Sequence, residues 1–249
     1  MKSYILCATP RTGSTLLCDL LTATKRCGAP DSFFMRGMDP QWLTQWGMPT
    51  EGDRDDPGYC AATLTGAVAA GKGGTDIFGL RLMRETLPDL TAMIDNVYPG
   101  HRTDRGRLAA AFGDVLYIHL KRENKLAQAV SMVKAEQSGL WHVAPDGRGI
   151  ERLAPPSDPI YDYDRIAKKL AELNAFDAAW ADWFTAQEIT PLAIGYETLS
   201  RNPADSAARI CDALGVPAPA PGTLKPGTAK LADAINRDWI DRFRKDAGL

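Results

Sequence analysis

The sequence predicts an α/β fold with a mostly parallel central sheet flanked by helices. Three observations carry this reading. Four short apolar runs recur along the chain, amphipathic helical stretches separate them, and the first run ends in a glycine-containing turn that opens a helix. The runs are Ser3 to Ala8, Ile77 to Met83, Val115 to Leu120 and Leu192 to Ile194, each followed by polar or turn residues.

The helices follow from their spacing. Only the first and third runs lead directly into strong helices. Leu16, Leu17, Leu20 and Leu21 mark the first, and Leu126, Ala129, Val130 and Val133 mark the second. A longer helix carries Tyr163, Ile166, Leu170, Leu173, Phe176, Trp180 and Trp183 at steps of three and four, an apolar stripe suited to core packing. Two stretches show no such period, Arg36 to Thr75 and His142 to Pro159, and are expected to be irregular lid or substrate segments near 36–75 and 142–159. A proline-rich stretch, Gly215 to Gly227, reads as a stiff connector to the last helix. No internal repeat is present, and a chain of 249 residues with 45% hydrophobic residues is expected to form one domain, 1–249.

Charge and cysteine content narrow the function. A net charge of −2 and a pI near 5.9 argue against a general nucleic-acid or anionic-membrane binder, so a small ligand is expected. The apolar start of the chain is too short for a signal sequence or a membrane span, which gives the expectation of a cytoplasmic protein without a transmembrane segment. Five cysteines, Cys7, Cys18, Cys27, Cys60 and Cys211, lack C-x-x-C spacing, fit reduced thiols and suggest no metal site.

The most informative residues are Ala8 to Thr15. A turn between a strand and a helix aims successive N–H groups and the helix N-terminus at an anion. Gly13 permits close approach, Ser14 and Thr15 add hydroxyls, and Arg11 adds a permanent charge with a planar fork of donors. The spacing approaches the Walker loop G-x-x-x-x-G-K-[ST], but Ala8 replaces the first glycine and Ser14 the lysine. Helix capping by Ser and Thr is the plainer explanation, yet it gives no reason for the arginine and glycine.

These residues resemble PAPS-dependent sulfotransferases, and most closely the bacterial trehalose 2-sulfotransferase family, where PAPS is 3′-phosphoadenosine 5′-phosphosulfate. Thr9 to Leu17 is similar to that family's 5′-phosphosulfate loop, and Arg122 with Ser131, nine positions apart, to its 3′-phosphate pair. Gly79 to Met83 resembles a strand beside the active site, and Asp238 to Phe243 the C-terminal helix. The resemblance implies a P-loop-like sulfotransferase fold, PAPS as co-substrate with no metal, and a hydroxyl acceptor on a small molecule, carbohydrate or glycolipid. It also implies a possible homodimer. The cofactor-binding residues it implies are Pro10, Arg11, Thr12, Gly13, Ser14, Thr15, Arg122, Ser131 and Lys230, with Arg11 also catalytic. Asn124, Gln128 and Ser131 share the helix face opposite the apolar stripe.

One departure stands out. Related enzymes carry a glutamate base just before a Phe-Phe or Tyr-Phe pair, and here Ser32 precedes Phe33-Phe34. An unassisted serine cannot replace a carboxylate as base, which leaves Asp31 and Glu85 as catalytic candidates against the plainer readings of surface charge or helix cap. His119 reads as a core histidine; Trp42, Trp46, Trp141 and His142 suit sugar binding and core packing equally. Two alternatives remain open from the residues: a P-loop nucleotide kinase or NTPase with a degenerate Walker loop, and a PAP(S)-binding protein impaired in catalysis.

Overall fold

The structure, a computed structural model, describes residues 1–35, 40–143, 146–220, 222–224, 227 and 233–248. The elements in chain order are β1 (Lys2–Ala8), α1 (Ser14–Ala23), α2 (Pro40–Gln45), α3 (Pro57–Lys72), β2 (Ile77–Met83), α4 (Leu87–Val97), α5 (Asp104–Phe112), β3 (Asp114–Lys121), α6 (Lys125–Ser138), β4 (Leu140–Val143), β5 (Gly149–Arg152), α7 (Tyr163–Ala186), β6 (Leu192–Gly195), α8 (Tyr196–Arg201), α9 (Pro203–Ala213) and α10 (Ala234–Asp246). A 3₁₀ turn, Arg84–Thr86, joins β2 to α4.

Among the described residues the main sheet has four strands in the order β2-β1-β3-β6, all parallel. The continuous apolar runs are explained by burial on both faces. Along β1, Ile5 and Cys7 face one cluster with Phe78, Leu90, Phe112 and Trp180, whereas Tyr4, Leu6 and Ala8 face another with α1 and α9. A third cluster joins α6, α7 and α10 through Val130, Val133, Ile166, Leu173, Trp239 and Phe243. The stripe on α7 is therefore core, as its period implies.

The strand order opens a crevice at one end of the sheet. The chain leaves β1 toward β2 on one side, then returns to β3 on the other side and continues outward to β6. Beyond the carboxyl ends of β1 and β3 the connections diverge, and this switch point is where open α/β sheets form a ligand crevice. Trp180 secures the end of β1, its indole N–H donating to the Ala8 carbonyl at 3.0 Å.

Two expectations need correction. The stretch 36–75 contains α2 and α3, and 142–159 contains the end of β4 and all of β5, which pair antiparallel. Helix α3 reads Pro-Gly-Tyr-Cys-Ala-Ala-Thr-Leu-Thr-Gly-Ala-Val-Ala-Ala-Gly-Lys, whose small residues give almost no apolar contrast between faces. Strand β5 is exposed along its whole length, so it shows no alternation of buried and exposed positions. Helices α4 and α5 also lie between the strands named from the sequence, and α8 and α9 follow the last of them.

Candidate active site

The loop after β1 is shaped by one turn. The Thr12 N–H donates to the Thr9 carbonyl at 3.3 Å and the Thr12 hydroxyl to the same oxygen at 2.7 Å. Pro10 holds the second turn position and Arg11 the third, where φ is 63°. Positive φ at that position is the mark of a type II turn and ordinarily calls for glycine. An arginine there costs about 1–2 kcal/mol of backbone strain. Gly13 follows at φ 83° as the N-cap of α1, and a Cβ on it would lie 2.7 Å from the Tyr196 ring. Glycine is required both by the backbone and by that contact.

Gly13 supplies no side-chain cap, and Ser14 and Thr15 do not cap α1 either. Side chains of Asp56, Thr103, Asn124, Asp162 and Asp233 do cap α3, α5, α6, α7 and α10. The first-turn N–H groups of α1 thus face a cavity of about 410 Å³, within the usual range of a small-molecule site. Pro10, Arg11, Gly13, Ser14 and Thr15 form its floor, and Arg122, Ser131, Glu85 and Ser32 belong to its walls. Thr12 is buried and absent from the lining; its side chain holds the turn. Lys230 lies outside the described residues.

Two arginines dominate the electrostatics. Arg11 donates from Nε to Ser131 Oγ at 3.2 Å and from NH1 to the Trp141 carbonyl at 2.7 Å. Arg122 donates from NH1 to the Arg11 carbonyl at 3.2 Å and lies 4.4 Å from the Tyr196 ring centroid, while its buried Nε has no hydrogen-bond partner. Burial and then the neighbouring Arg122 charge lower Arg11 to about 10, so it remains protonated at neutral pH. Burial lowers Arg122 as well. Among the described residues neither has a carboxylate within ion-pair distance. Two desolvated like charges at a helix N-terminus are stabilised by a bound anion. Ser131 is hydrogen-bonded to Arg11, so the loop and the Arg122/Ser131 pair form one continuous site.

Sequence reasoning missed part of the wall. Arg81, inside the quoted strand motif, donates from Nε to Ser32 Oγ at 2.8 Å, from NH1 to Thr15 Oγ1 at 2.8 Å and from NH2 to Asp31 Oδ1 at 2.9 Å. Asp31 is fixed further, its Oδ1 accepting from the Ser32 N–H at 2.6 Å and its backbone bridging Leu80 at the outer edge of β2. It does not line the cavity, whereas Glu85 stands exposed on the wall in the 3₁₀ turn. His142 and Glu151 enter from the β4–β5 pair: His142 Nε2 is 3.1 Å from Thr15 Oγ1 and 3.3 Å from Glu151 Oε2. Asn236 and Arg237 of α10 reach the same cavity. Only the fold brings these distant residues together.

Other singled-out residues lie elsewhere. Trp42 and Trp46 stack on each other, with centroids 5.9 Å apart, and pack on Phe33. His119 packs on Phe184 at 5.1 Å, and burial lowers its pKa. Neither group lines the cavity.

The family model for Stf0 sulphotransferase matches residues 3–246. The chain belongs to the Stf0 sulphotransferase family. It is a sulfotransferase, and its membership spans the anion loop, the Arg81 strand, the β4–β5 pair and α10. Two trehalose 2-sulfotransferases are each 29% identical to it. That of Mycolicibacterium smegmatis aligns over 98% of this chain and 95% of its own, and that of Mycobacterium tuberculosis over 99% and 96%. The sulfotransferase domain from the curacin biosynthetic pathway superposes with a TM-score of 0.50 at 14% identity, over 94% of this chain and 81% of that one; this supports the fold. The kinase reading of the loop falls to the family match, and the absent Walker lysine is consistent with it.

Proposed function

We propose that this sulfotransferase carries a sulfuryl group from PAPS to a hydroxyl of a carbohydrate or glycolipid. The observation that carries the reading is the pair Arg11 and Arg122, with no carboxylate within ion-pair distance among the described residues, beneath the open N-terminus of α1 at the sheet's switch point. The residues fit the donor: Arg11, Ser14, Thr15 and the first-turn N–H groups of α1 would hold the 5′-phosphosulfate, and Arg122 with Ser131 the 3′-phosphate. PAPS supplies an activated sulfuryl group, while this chain supplies position and charge. Arg11 and the helix N-terminus stabilise the charge that grows on the leaving phosphate as the reaction proceeds in line. Trehalose is the first acceptor to test because both aligned relatives are named for it.

Calorimetry with PAP (3′-phosphoadenosine 5′-phosphate), using ATP and ADP as controls, tests the donor. Selective PAP binding supports the reading, and binding of ATP without PAP overturns it. Arg11→Ala should lower transfer to trehalose or another accepted sugar by about 10²- to 10³-fold, whereas Ser131→Ala should mainly weaken PAP affinity.

A further inference from the structure

We propose that His142, backed by Glu151, takes the proton from the acceptor hydroxyl, replacing the carboxylate that is absent at Ser32. This assignment rests on the sulfuryl-transfer reading above and identifies the catalytic base that the reading lacks.

Two of the other candidates are already engaged by Arg81, and the third, Glu85, shares the cavity wall and is distinguished from His142 by the Glu85→Gln variant. Ser32 Oγ accepts from Arg81, and the Asp31 carboxylate is engaged by Arg81 and the Ser32 N–H outside the cavity lining. Glu85 lies on the wall in an exposed turn after β2. The imidazole, in contrast, touches the anion loop directly, with Nε2 3.1 Å from Thr15 Oγ1 in the first turn of α1. Arg81 donates to that oxygen, so the Thr15 hydroxyl can turn its proton toward Nε2 in the tautomer where this nitrogen carries a lone pair, and an acceptor hydroxyl takes the place of that contact when it gives up its own proton. The residue before it, Trp141, accepts from Arg11 through its carbonyl, so the same arginine that faces the anion also fixes the strand carrying the base.

The charges around the ring give it a donor-dependent strength. Arg11 faces it from the loop, Arg81 from β2, Glu151 from β5, and Asp31 stands behind Arg81. Burial, then Arg11 and Arg81, hold His142 down at about 4. An anion bound beside Arg11 offsets part of that positive field and makes the imidazole a stronger base. As the acceptor oxygen bonds to sulfur, its proton passes to Nε2, the sulfur–oxygen bond to the 5′-phosphate breaks, and the electron pair leaves on the phosphate oxygen. The imidazolium then has its Nε2–H beside the Glu151 carboxylate, 3.3 Å away, which stabilises it. No oxidant or metal enters this balance.

The chain has three histidines, so the His142 ring resonance can be assigned by its loss in His142→Gln and titrated by NMR with and without PAP. The expected result is titration near the value of about 4 in the free protein. PAP should raise it by about one unit or more, and by less in Glu151→Gln. In steady state, His142→Gln should lower kcat by about 10²-fold or more with PAP affinity retained. A titration that PAP leaves unmoved, although PAP binds, overturns the proposal, as does wild-type kcat in His142→Gln or a loss of that size in Glu85→Gln alone. If no acceptor is turned over, the PAP titration alone decides. If PAP fails to bind the wild type, the donor reading falls first and this assignment falls with it.

Discussion

At the residue scale, the site depends on groups held in costly states. Arg11 occupies a positive-φ position and is half-buried next to Arg122, and Arg122 has a buried Nε without a hydrogen-bond partner among the described residues. His142 is similar, since its folded-state value of about 4 lies below the ordinary 6.5. Between those values the unfolded chain binds more protons than the folded one, so this group makes stability fall as pH drops from 6.5 toward 4, by at most about 3 kcal/mol. Burial raises Glu151, which acts in the opposite sense, and lowers His119, which acts in the same sense. The informative quantity is therefore the difference between wild type and His142→Gln. Urea unfolding across this pH window should show a shallower loss in the variant, and parallel curves would refute the low value.

At the element scale, α6 joins the loop to the rest of the fold. The sequence places Asn124, Gln128 and Ser131 on one polar face, where an ordinary solvated surface would be the plain reading. The structure buries Gln128 completely, its Nε2 donating to Thr9 Oγ1 at 3.0 Å and to the Pro10 carbonyl at 2.6 Å. Lys125 Nζ donates to Gln128 Oε1 at 3.0 Å and pairs with buried Asp177 of α7 at 2.6 Å. The anion loop is thereby tied through α6 to α7. Gln128→Leu should cost about 1–3 kcal/mol in urea unfolding, because it strands buried partners. Calorimetry should also show weaker PAP binding; a loss of stability with unchanged PAP affinity would separate Gln128 from the positioning of the loop.

At the scale of the whole molecule, the site is the meeting point of β1, β2, β3, the β4–β5 pair and α10, so a ligand bound there ties distant segments together. PAP at 100 times its dissociation constant should stabilise the folded state by about 2.7 kcal/mol, raising Tm by roughly 5–10 °C for a chain of this size. Differential scanning calorimetry should show most of that shift lost in Arg122→Ala. An equal shift from ATP would mean that the 3′-phosphate site does not contribute. Among the described residues, no helix is long and apolar enough to cross a membrane.

The sequence by itself determined the four parallel strands, because runs apolar on both faces have few other uses, and it singled out the loop after the first of them as a candidate anion site, because an arginine and a glycine within one strand-to-helix turn combine charge with close backbone approach. The family resemblance, and not the residues alone, marked Ser32 as standing where a glutamate is expected. Only the tertiary structure decided which groups share the cavity. Helix α3 lacks apolar contrast and β5 lacks burial, so neither left a periodic signal, and the residues that meet at Thr15 come from Arg81 and His142, 66 and 127 positions away. Local pattern records which face of an element is buried; it carries no record of which distant side chains the sheet order brings to the same strand ends.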